Sequence, residues 1–126
     1  MLCRKSDIQK LKEYLYYSQI HDSIIESVKY NIKDEKLDIK AAIPMNGEKI
    51  HIAFSDVLFF LTACGNGYGA NDTILSLTVE DDLSYPEECM QTCGVDFDDS
   101  VYVLFQMFSG KEIHVVSRNV SIETYE

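Results

Sequence analysis

"KLDIKAAIPMNGEKIHIAFS", residues 36–55, sets a period of two. Leu37, Ile39, Ala41 and Ile43 alternate with Lys36, Asp38 and Lys40, and Ile50, Ile52 and Phe54 alternate with Lys49, His51 and Ser55. Successive side chains of an extended chain point to opposite faces, so each run has one apolar face and one wet face. Asn46-Gly47 between the runs supplies the positive φ of a tight hairpin. The stretch reads as two neighbouring antiparallel strands.

Outward from this hairpin the pattern changes on the N-terminal side. "NIKDEK" at 31–36 is a short polar connection, and before it Ile8, Leu11, Tyr14, Leu15 and Ser18 recur at helical spacing. Ser6 followed by Gln9 matches a capping box at the start of that helix. Ile8, Leu11 and Leu15 are the residues expected to be buried against a sheet. On the C-terminal side Leu75, Leu77 and Val79 alternate, and "VYVLFQMF" at 101–108 is apolar on both faces, as a central strand would be. Ser109-Gly110 reads as a tight turn into "KEIHVVS", and Val120 and Ile122 suggest a last edge strand. "DVLFFLTAC" at 56–64 fits a buried strand or a buried helix, and its aromatics lean to strand. The predicted class is α+β: one N-terminal helix packed on a mostly antiparallel sheet of about six to seven strands.

With 126 residues, of which 46% are hydrophobic, the chain fits a single domain spanning 1–126. The run "VLFFLTAC" is less than half of the roughly 20 residues a membrane helix needs, and "MLCRKSDIQK" lacks the apolar region of a signal peptide. A cytoplasmic protein is expected. Cys3, Cys64, Cys89 and Cys93 are few for this length and form no CxxC pair, so they read as reduced thiols. Cys89 and Cys93 are spaced for one helix face, but a zinc site needs further ligands and His21, His51 and His114 lie far off in sequence. No metal and no cofactor is predicted.

Charge is distributed unevenly. The net charge is -10, and the window 50–110 has no Lys or Arg but ten acids: Asp56, Asp72, Glu80, Asp81, Asp82, Glu87, Glu88, Asp96, Asp98 and Asp99. Eight of these fall between 80 and 99, beside Pro86 and Gly94, in what reads as an acidic loop. It either solubilises the protein or steers a basic partner toward it. "DFDDS" at 96–100 mimics the opening of a calcium loop, yet Val101 and Met107 stand where that loop requires Gly and Glu. Nucleic acids are excluded as partners, because a chain whose middle has no base cannot neutralise a phosphate backbone.

Two motifs invite a catalytic reading. His21, Asp22 and Ser23 are the residue types of a hydrolase triad, but consecutive residues cannot converge on one another, and no GxSxG elbow is present. They read instead as a structural corner between helix and strand, in which Asp and Ser satisfy backbone groups and His21 packs its ring. "CGNGYGAND" at 64–72 lacks the GxGxxG spacing and is followed by a strand, so it reads as a loop displaying Asn66, Tyr68 and Asn71.

The helix, "QIHDSIIESVKYN" and the hairpin that follows resemble small bacterial domains with a His-Asp-Ser corner, some of which resemble immunity proteins of polymorphic toxin systems. The resemblance covers mainly residues 14–43, with weaker similarity in "FSDVLFF" and the Gly-rich loop. It implies a non-enzymatic intracellular protein that binds another protein. Residues and resemblance together predict a domain that meets a basic protein, such as a toxin, through Glu80, Asp81, Asp82, Glu87, Glu88, Asp96, Asp98 and Asp99, with Asn66, Tyr68 and Asn71 alongside. The alternative is a small enzyme or ligand-binding domain using His51, His114 or clustered carboxylates.

Overall fold

The alternating stretch forms the hairpin its pattern demands. In the computed structural model, which describes residues 1–18, 20–63, 73–80 and 99–125, the elements run β1 (Leu2–Cys3), α1 (Ile8–Tyr17), β2 (Ile24–Asn31), β3 (Lys36–Ala42), β4 (Lys49–Ala63), β5 (Ile74–Glu80), β6 (Val101–Met107) and β7 (Glu112–Tyr125). Leu37, Ile39 and Ala41 of β3 pair with Phe54, Ile52 and Ile50 of β4, and all six are buried. Burying such a side chain contributes about 1.5–3 kcal/mol for the larger ones, and a one-residue slip would expose all of them. At the turn Gly47 adopts φ +73 and donates to the Ile43 carbonyl at 3.0 Å, while the Asn46 side-chain oxygen accepts from Glu48 N–H at 2.9 Å.

The seven strands form one antiparallel sheet in the order β2-β3-β4-β7-β6-β5, with β1 added to β7. The fold is α+β. The outermost strands approach each other at one corner: Ile24 of β2 bridges Thr73, just before β5. At the other end of β2, Tyr30 meets Phe60 of β4 with ring centres 4.7 Å apart.

The long strand β4 does not stay flat. Its register with β7 shifts between Val57 and Phe59, and Asp56 adopts φ 52. The extra residue of a bulge bends the strand and increases its twist. The Glu35 carbonyl, in the β2–β3 turn, accepts from Val57 N–H at 3.0 Å and holds the bend. Beyond it both faces are apolar. Val115 of β7 belongs to the main core, whereas Val116 packs with Tyr102, Phe59 and Leu104 in a second cluster. Adjacent residues of a strand face opposite ways, so the second cluster occupies the other side of the sheet.

Two expectations are corrected. Val120 and Ile122 do not form a separate edge strand: β7 is continuous, paired with β4 along its length and flanked on its other side by β6 and then β1. The Ser117-Arg118-Asn119 segment has no Gly or Pro to interrupt it, and the Ser117 hydroxyl donates to the Asn119 carbonyl at 3.2 Å. The helix is also entered earlier than Ser6 suggests. Arg4 is extended, its N–H donates to the Asp7 carboxylate at 3.2 Å, and a 3-10 turn over Lys5–Asp7 leads into α1. On α1 Leu11 is buried within the core cluster, Tyr14 and Leu15 lie against it partly buried, and Ile8 is half-buried.

Candidate functional site

The pairing of β5 with β6 sets Glu80 opposite Tyr102. Strand β5 therefore ends, and β6 begins, at the same end of the sheet. Of the residues predicted to meet a partner, Glu80 and Asp99 stand at that end, with Asp99 exposed at φ 57 and Glu80 accepting from the Thr78 hydroxyl at 2.7 Å. Asp81, Asp82, Glu87, Glu88, Asp96 and Asp98 lie outside the described residues, as do Asn66, Tyr68, Asn71 and the cysteines at 64, 89 and 93. Asp99 also borders a polar cleft of about 410 Å³ with Arg4, Lys5, Asp56, Arg118 and Asn119. Asn119 donates to the Asp56 carboxylate there at 3.1 Å. This end of the molecule is thus mixed in charge, which the sequence did not reveal because the cations come from opposite ends of the chain.

At the helix-to-strand corner the backbone does most of the bonding. Asp22 N–H donates to the Ile74 carbonyl and Ile74 N–H to the Ser23 carbonyl, both at 2.8 Å. Ser23 is fully buried, and both its N–H, at 3.1 Å, and its hydroxyl, at 2.5 Å, donate to the Ile20 carbonyl. A hydroxyl committed in this way cannot serve as a nucleophile open to substrate. The His21 ring, expected to pack, is 54% exposed, and the Asp22 carboxylate, expected to cap a backbone group, is 75% exposed, 3.9 Å from the ring. Asp22 contributes through its backbone instead: it adopts φ 74, a conformation Asp tolerates better than most residues.

Two clefts flank this corner. One of about 520 Å³ is lined by Tyr14, Tyr17, Ile20, Ile43 and Ile50, with Lys10, Glu13 and Glu48 supplying charge. The other, about 440 Å³, is lined by His21, Asp22, Ile43, Pro44 and Met45. Ile43 belongs to both. Sequence reasoning missed this surface because its residues come from α1, the corner and the β3–β4 turn, and no single stretch carries the pattern.

The two strand histidines do not share a site. His51 Nε2 lies 2.7 Å from the Asp38 carboxylate, and His114 Nδ1 shares a 2.6 Å hydrogen bond with the Tyr102 hydroxyl. In the β4–β7 pairing His51 stands opposite Glu123 and His114 opposite Leu61. That register separates them by about 30 Å along the strand. Among the described residues no group of three or more His, Cys, Asp or Glu side chains is placed to hold a metal ion, and no helix is long and apolar enough to cross a membrane.

No family model matches the chain, and no curated protein matches it.

Proposed function

We propose that the chain is a non-enzymatic cytoplasmic protein-binding domain, of the bacterial immunity type, that meets a basic protein such as a toxin through the acid-rich sequence from Glu80 to Asp99. In this reading α1 packs over one face of the sheet as a rigid cover, and the sheet presents the acidic connection. The reading is supported by one observation: antiparallel pairing ends β5 at Glu80 beside Tyr102 near the start of β6, so the two ends of the acid-rich sequence between them are anchored at one end of the sheet. Charges gathered at a rim chiefly raise the rate of encounter with an oppositely charged surface, and salt screens them over about 8 Å at physiological ionic strength. The alternative, a small enzyme using His51, His114 or clustered carboxylates, is less well supported, since the two histidines are far apart and each is engaged by its own neighbour.

Affinity capture from the native host at low and moderate salt identifies the partner. Its association rate is then measured against ionic strength for the wild type and for a variant with Asn or Gln at Glu80, Asp81, Asp82, Asp96, Asp98 and Asp99. The variant should associate more slowly and with a flatter salt dependence. Coincident curves would remove the acidic end from the binding face.

A further inference from the structure

We propose that Asn46-Gly47, in the β3–β4 turn, is a self-modifying site: the Gly47 backbone nitrogen attacks the Asn46 side-chain amide, and water opens the resulting cyclic imide to Asp or isoaspartate, at a rate set by how often the turn opens. Three observations carry it. The first is covalent and steric. Gly47 follows Asn46 directly, so attack of its nitrogen on the side-chain carbonyl carbon closes a five-membered ring. Glycine has no Cβ to crowd that nitrogen. Both residues are exposed, and even a Cβ built on Gly47 would meet nothing within 4 Å, so water reaches the amide freely.

Second, the amide is polarised. The Asn46 side-chain oxygen accepts from Glu48 N–H at 2.9 Å. This bond draws electron density from the carbonyl carbon and supports the negative charge the oxygen gains under attack, as an oxyanion donor does.

Third, the nucleophile is guarded. Gly47 N–H donates to the Ile43 carbonyl at 3.0 Å, and Ile43 N–H donates to the Glu48 carbonyl at 2.8 Å. The Gly47 nitrogen has to leave the Ile43 carbonyl before it can attack, so the closed turn holds the reaction back and each local opening releases it. In the opened turn the nitrogen gives its proton to water and bonds to Asn46 Cγ, and the side-chain nitrogen takes up a proton and departs as ammonia. Water then adds to one of the two imide carbonyls and breaks its bond to the ring nitrogen. Breaking the Cγ bond yields Asp; breaking the bond at the main-chain carbonyl yields isoaspartate, whose backbone runs through Cβ. The two products differ in their effect. Asp keeps an oxygen for Glu48 N–H, whereas isoaspartate adds an atom to the turn that sets the β3–β4 register, on which the burial of Ile39 and Ile52 depends.

The test ages the full chain at neutral pH and maps the products by mass spectrometry, with a protein isoaspartate methyltransferase and a labelled methyl donor counting isoaspartate. The free peptide Ile-Pro-Met-Asn-Gly-Glu-Lys, the sequence of residues 43–49, ages beside it. The peptide should convert severalfold faster than the folded chain, and urea below the unfolding midpoint should narrow that gap. Both Asp and isoaspartate should form at residue 46, and Asn46→Gln, which would have to close a six-membered ring, should abolish conversion there. Chains carrying isoaspartate should unfold at lower urea, while Asn46→Asp should unfold close to wild type. No conversion at residue 46 even in urea, Asp as the only product, or equal rates in chain and peptide would overturn the proposal. So would conversion confined to the other Asn-Gly pair of the sequence, Asn66-Gly67.

Discussion

The Ser23 hydroxyl donates to the Ile20 carbonyl at 2.5 Å, and both residues are buried at the point where the chain turns from α1 into β2. Removing the hydroxyl leaves a buried carbonyl with less than its full complement of donors. Ser23→Ala should therefore cost about 1–2 kcal/mol, while His21→Ala, at a side chain more than half exposed, should stay within about 0.5 kcal/mol. Urea midpoints of the two variants distinguish this arrangement from one in which His21 is the structural member.

Positive φ values make a second prediction. Asp22 sits at φ 74 and Gly47 at φ +73, and a Cβ built on Gly47 meets nothing within 4 Å. Gly47→Ala thus carries a conformational penalty alone, about 1 kcal/mol. Asp22→Gly should be tolerated, whereas Asp22→Val should cost 1 kcal/mol or more, on the order expected for a β-branched residue in the left-handed region. Thermal unfolding of the three variants checks the ranking.

The core is tested at Phe105, fully buried with its ring centre 6.2 Å from that of Phe54 in an edge-to-face arrangement. Phe105→Ala should cost about 3–5 kcal/mol, the sum of lost burial and the cavity left behind. Ile32→Ser, in the exposed β2–β3 turn, should leave stability almost unchanged. Equal effects at the two positions would place the core elsewhere.

Cys3 links stability to alkaline pH. Burial, with Asp7 adding to it, pushes the thiol above its ordinary value. Below about pH 8.5 the thiol is protonated in folded and unfolded chains alike, and its contribution is fully present. As pH rises further the unfolded chain releases its proton first, so this contribution is lost on approach to the native value. The stability difference between wild type and Cys3→Ala should shrink from pH 7 to pH 10 in denaturant titrations, and native Cys3 should react slowly with iodoacetamide. A constant difference would contradict the burial of this thiol.

Residues 36–55 were legible because their alternation and Asn46-Gly47 agree with one another. So was the central strand β6, with apolar residues on both faces, whereas 56–64 left strand and helix open and only its aromatics leaned toward the strand it forms within β4. The bulge at Asp56 was not, since a left-handed Asp leaves no mark in a pattern of apolar residues. Neither was the continuity of β7, where polar Ser117-Arg118-Asn119 looks like a break but is the place where β7 changes neighbours from β6 to β1. For the site, charge sums located the acidic stretch but could not see Arg4, Lys5 and Arg118 brought beside Asp99. The clefts around Ile43 exist only once three distant segments are assembled.

The hydrogen bonds between the corner and the start of β5 act as the clasp of a bracelet. They join the first and last members of the strand order, Ile24 and Thr73, which every other pairing holds apart. The clasp joins the two outermost strands and can close only once the sheet between them is in place, so it should form late and be absent from the transition state for folding. Weakening it at Ser23 should hasten unfolding and leave refolding nearly untouched, visible as a shift of one limb of the chevron. Once open, it would free the backbone groups of Asp22, Ser23 and Ile74, and these unpaired strand ends would make the loosened protein prone to stick to its own copies.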